Sequence, residues 1–139
     1  YDFDNRPAVR KLAGRIAAER GLHIYSVFKI PYAERCFSLC GPENFLGLVQ
    51  GADFVLSNSF HATAFSVIFE REFAVVERTE KINTRMRDFT TMLGLSDHMV
   101  TTETEIPTGT DWTAVRRCLK DEIDHAKAYI DEVLRDVER

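Results

Sequence analysis

"DFVLSNSFHATAFSVIFEREFAVVE", residues 53–77, decides the fold. Its ends, DFVLS and FAVVE, are short and almost continuously apolar, the pattern of strands buried on both faces. Between them HATAFSVIFE keeps apolar or small residues at helical spacing, so the stretch reads as strand, helix, strand. Two such strands joined through a helix are expected to run parallel, because parallel neighbours need a long crossover connection, usually a helix. Ser57, Asn58, Ser59 and His61 then fall where the first strand ends and the helix begins.

The same alternation continues on either side. "YDFDNRPAVRKLAGRIAAERG", residues 1–21, enters as the end of a strand; Asn5 is placed to cap a helix that has Pro7 in its first turn. Val9, Leu12, Ala13, Ile16 and Ala17 form its packing stripe, and Gly21 stops it before the strand LHIYSVF. KIPYAERCFSLCG reads as a loop with a short strand around Cys36 to Leu39, and PENFLGLVQGA as a short helix packing through Phe45, Leu46, Leu48 and Val49. Downstream come the helix NTRMRDFTTMLGL and a weak strand, HMVTT. The expectation is an α/β domain over residues 1–139: an open Rossmann-like, mostly parallel sheet of five or six strands with helices on both faces. A long terminal helix, about residues 111–138, carries an apolar stripe from Trp112 through Val115, Leu119, Ile123, Ala126, Ile130 and Val133 to Val137. That stripe reads as a helix lying on the sheet or on a neighbouring domain, since it spans few heptads for a coiled coil.

Composition excludes several partners. The 139 residues, 45% hydrophobic, suit one core without help from metal or disulfide. The 18 basic and 22 acidic residues give a net charge of −4, and the basic ones are scattered, so no nucleic-acid footprint appears. Cys36, Cys40 and Cys118 lack a metal-type second pair and read as reduced thiols of a cytoplasmic chain, with no metal or cofactor expected. No apolar run reaches the roughly 18 residues of a membrane span. A start without Met reads as a piece of a longer protein.

Ligands of open α/β sheets bind at the carboxyl ends of strands, and a helix start there offers unsatisfied amides to a phosphate or carboxylate. On the residues alone, His61 is either a hydrogen-bond donor or proton carrier beside such an anion, or a first-turn residue with a structural bond; Asn58 or Ser59 either lines the site or caps the helix. Glu43 reads as a helix-start carboxylate stabilised by the dipole or as a ligand contact. His23, His98 and His125 read as structural or exposed.

"GPENFLGLVQGADFVLSNSFHATAFSVIFEREFAVVE", with NTRMRDFTTMLGL after it, closely resembles the carboxyl-terminal half of the polysaccharide pyruvyl transferase family. The likeness runs from about Leu39 to Leu95 and is specific at Ser59-Phe60-His61. Ala62 stands where the family usually has glycine, and Ser59 where other branches have arginine. The resemblance implies transfer of pyruvate from phosphoenolpyruvate to hydroxyls of a polysaccharide or glycan precursor, as a cyclic ketal. It also implies a two-domain, GT-B-like enzyme of which this chain is the second domain, inactive without the amino-terminal one. His61 carries over as the donor-site histidine, an acid, a base or a phosphate ligand. Phe60 becomes pocket wall, Asn58, Ser59 and Thr63 polar lining, and Arg85 an anion contact. Two other plans are open: a nucleotide-sugar-dependent GT-B glycosyltransferase, and a non-catalytic sugar-binding module.

Overall fold

The computed structural model describes residues 7–38, 41–77 and 83–137. Asn5, the incoming strand and Cys40 lie outside them.

The first helix, α1 (Pro7–Arg20), buries Val9, Leu12 and Ile16, as the spacing requires. It ends at Gly21, whose φ of 65° lets the Leu22 amide turn back to the Ala17 carbonyl at 3.0 Å. β1 (Tyr25–Ser26) and β2 (Arg35–Cys36) follow, then α2 (Pro42–Gln50), β3 (Val55–Ser57), α3 (Phe60–Ile68), β4 (Phe73–Val76), α4 (Asn83–Met92), β5 (Met99–Val100) and α5 (Trp112–Val137). A short 3₁₀ turn, Ser96–His98, leads into β5.

Every strand pairing among the described residues is parallel, as expected of an α/β chain. The strands form two sheets, β1-β2 and β3-β4-β5, where the sequence reading has one sheet of five or six. They are also shorter than their apolar runs: LHIYSVF contributes two residues to a ladder and DFVLS three. Apolar content specifies burial, whereas a ladder needs a neighbour in register, and the flanking residues pack without one.

The core is organised by β4, whose four residues are all buried. Alternation along the strand sends Phe73 and Val75 into a cluster with Val49, Val67, Met86, Leu93, Leu95 and Val115, while Ala74 and Val76 meet Val9 and Leu12 of α1. Helices therefore cover both faces of the sheet, α1 on one side and residues of α2, α3, α4 and α5 on the other.

His98 falls inside the core. Its Nδ1 lies 2.9 Å from the Phe73 carbonyl and its ring stacks at a tilt on Phe73, 4.4 Å between centroids. The segment after β5 is fastened to residues earlier in the chain. Arg15 donates to the carbonyls of Thr102 and Thr104, Arg20 to that of Pro107, and the Thr110 amide and hydroxyl to the Glu72 carboxylate. Asp111 then caps α5, its Oδ1 accepting from the amides of Thr113 and Ala114 at 3.0 and 3.1 Å. Only the opening turns of α5 pack on the body, through Trp112, Val115, Cys118 and Leu119. Of the two placements expected for this helix, the sheet accounts for about two turns.

Candidate functional site

The site begins where β3 runs into α3. Ser57 and Asn58 are buried, which fixes the end of the strand, and the Ser57 hydroxyl accepts the Ser59 amide at 2.9 Å to turn the chain. Ser59 sits at the cap of α3 in extended conformation, φ −116° and ψ 133°, without a side-chain capping bond. Its carbonyl takes the Thr63 amide at 3.1 Å and the Thr63 hydroxyl at 2.9 Å. Thr63 is buried, so its hydroxyl is spent stiffening the first turn. Ser66 repeats the device one turn on, donating to the Ala62 carbonyl at 2.7 Å. The result is a small-residue helix start whose first amides point off the end of β3, carrying the partial positive charge of a helix terminus.

His61 is exposed on that first turn. The residue that organises its surroundings is Phe60, half-buried against the core cluster. The Phe60 ring has the His61 ring at 6.2 Å and that of Phe89 at 5.5 Å, both edge-on. The Arg85 guanidinium lies over it, 5.5 Å from its centroid. A face-on cation and edge-on rings are the arrangements that the aromatic quadrupole favours. The structure thus brings together three residues of the sequence reading, Phe60, His61 and Arg85, from two helices. Asn58 is packed beneath them, Ser59 is half-buried at the cap and Thr63 is enclosed. Phe89 was not foreseen. The available signal was its spacing: four residues after Arg85, it shares a helix face with it, so both reach Phe60.

Around the first turn of α3 the arrangement provides a cation, an imidazole and backbone amides. These suit an anionic ligand and proton transfer at one of its atoms. No group of three or more His, Cys, Asp or Glu side chains suited to a metal occurs among the described residues.

The other singled-out residues sit elsewhere. His23 is exposed and 2.7 Å from Glu34, His125 is exposed on α5, and Cys36 and Cys118 are free thiols. Glu43 lies in the first turn of α2, as its helix-start reading requires. A cavity of about 500 Å³ opens between α1, β1, α2 and β3. It reaches the site segment only at Ala62; Asn58, Ser59, Phe60, His61, Thr63 and Arg85 do not line it. Its volume suits a small ligand, but the polar groups described above stand outside it.

The family model described as "Polysaccharide pyruvyl transferase" matches residues 1–80, more than half of the 139. It takes in the whole β3–α3 turn and ends before Arg85. No curated protein and no solved structure matches the chain.

Proposed function

The chain belongs to the polysaccharide pyruvyl transferase family, and on that premise we propose that its β3–α3 turn is the donor site of an enzyme moving pyruvate from phosphoenolpyruvate to hydroxyls of a glycan. The observation that carries this reading is the convergence of His61 and Arg85 on Phe60 at a helix start inside or beside the matched segment. Phosphoenolpyruvate carries two anions, a carboxylate and a phosphate. Arg85 takes one of them through its planar fork, and the amides of α3 take the other.

Ketal formation adds a proton to the vinyl methylene, forms two bonds from C2 to sugar oxygens and breaks the bond from C2 to the phosphate oxygen. One hydroxyl proton is balanced by the new methyl group and the second leaves with phosphate. His61 is positioned to carry such a proton or to bind the departing phosphate. Phe60 forms the wall behind it. Ser59 lines the turn, and the buried Asn58 and Thr63 hold it from beneath.

In this reading the chain is the second domain of a GT-B-like pair, and the acceptor glycan binds across the cleft from an amino-terminal domain that completes the enzyme. A cytoplasmic setting fits the free thiols of Cys36 and Cys118. No helix among the described residues is long and apolar enough to cross a membrane.

Ligand-induced thermal shift tests the donor assignment. Phosphoenolpyruvate should raise the melting temperature, Arg85→Ala should abolish the rise, and nucleoside diphosphates should give none. Stabilisation by nucleoside diphosphates alone would assign the turn to a nucleotide-sugar glycosyltransferase instead.

A further inference from the structure

The apolar surface left uncovered on this chain is concentrated on one element. Ile123 (42% exposed), Tyr129 (68%), Ile130 (54%), Val133 (43%) and Leu134 (56%) all lie on α5, beyond the turns that pack on the body. A helix projecting without tertiary contacts is marginal in water, and clustered exposed apolar side chains mark an interface. We infer that the distal part of α5 pairs with the same helix of a second copy, as a short parallel two-stranded coiled coil.

Three features of the helix select that occupant. Beyond the turns that pack on the body the stripe falls into a heptad, with Ile123 and Ile130 at one seam position and Ala126 and Val133 at the other. β-branched residues at the first position are compatible with a parallel pair, and the flanking positions decide the direction of the partner. Second, the flanking positions are complementary in a parallel pair: Glu122 meets the partner's Lys127 on both sides of the dyad, and Tyr129 meets the partner's Leu134, widening the apolar seam. Third, an antiparallel pair in the matching register sets Lys127 against the partner's Lys127, two like charges. The remaining charges do not interfere. Lys120 is already held by Asp124 at 2.7 Å within its own helix, and Asp121, His125, Asp131 and Glu132 lie away from the seam.

Few seam layers make a weak pair, so association should be visible only across a concentration series. Sedimentation equilibrium of the 139-residue chain from about 5 to 500 μM should show a reversible monomer–dimer equilibrium. Ile130→Glu should raise the dissociation constant at least about a hundredfold while the melt of the folded body is kept. Glu122→Lys and Lys127→Glu should each weaken pairing about three- to tenfold, and mixing the two variants should restore it, because every flanking contact of the mixed pair is then between opposite charges. A monomer throughout the series overturns the inference. So does a dimer indifferent to Ile130→Glu, or one that Glu122→Lys does not weaken, which places the helices antiparallel because Glu122 then has no Lys127 opposite it. A monomer that Ile130→Glu destabilises overturns it too, by assigning the stripe to a surface of the same polypeptide.

Discussion

Phe60 is the residue whose removal tests whether the site is built as described. Phe60→Leu keeps most of the apolar volume but removes the aromatic face under Arg85 and the edge contact with Phe89. An exposed cation over a ring is worth about 0.5–1 kcal/mol and an aromatic pair about 0.5–1.5 kcal/mol, so the substitution should cost roughly 1–2.5 kcal/mol. Urea unfolding of the single variants Phe60→Leu and Arg85→Ala and of the double variant separates the two contributions. The coupling between the residues should be about 0.5–1 kcal/mol, above the roughly 0.3–0.5 kcal/mol within which independent substitutions add. In the complete enzyme Phe60→Leu should weaken donor binding through a displaced Arg85, and Phe60→Tyr, which keeps the ring, should restore it. Additive losses would refute the reasoning: Arg85 would then owe nothing to Phe60, and the convergence of cation and imidazole would have no structural support.

His61→Ala in the complete enzyme should leave the melt unchanged, since its side chain is exposed, and lower pyruvyl transfer at least about a hundredfold, the scale of a positioned acid or base. Near-normal turnover would reduce His61 to a first-turn residue. His98 gives the pH dependence. Burial, the dominant cause, holds its pKa below the ordinary 6.5 against the opposing pull of Asp97, the Phe73 carbonyl and Glu72. The unfolded chain therefore takes up the proton first. The contribution of His98 to stability is complete above about pH 6.5 and declines as the pH falls from there through the folded value. His98→Gln should flatten the fall of the urea midpoint over that window; an unchanged slope would place its origin in other groups.

The segments most legible in the sequence were those whose fate is local. FAVVE had to be a buried strand, and Gly21, at positive φ, ends the first helix where its stripe stops. The turn at Ser59 was legible for the same reason, as a polar break between two apolar runs. What was not legible depends on distant parts of the chain. Whether His98 was structural or exposed was not legible, because its partner, the Phe73 carbonyl, lies 25 residues earlier and its burial follows from the docking of β5 beside β4. Arg85 matched a family arginine, but only the packing of α4 on α3 shows that it rests on Phe60. The stripe of α5 was read correctly as amphipathic, yet periodicity carries no information on where the body ends, and it ends after Leu119.

The bonds from Arg15, Arg20 and Glu72 to the segment after β5 join positions as far apart as 89 residues. They mean that the segment matched by the family model is shorter than the unit of folding in this chain. The matched segment stops at residue 80, while Met86, Leu93, Leu95, Val100 and Val115 close the core around β4 from beyond it. A polypeptide cut at the homology boundary would keep the donor turn but present β4 as an open apolar edge, a template for aggregation. Expression boundaries drawn from the family match alone should therefore yield insoluble protein, and ones that retain the segment through Leu119 a cooperative domain.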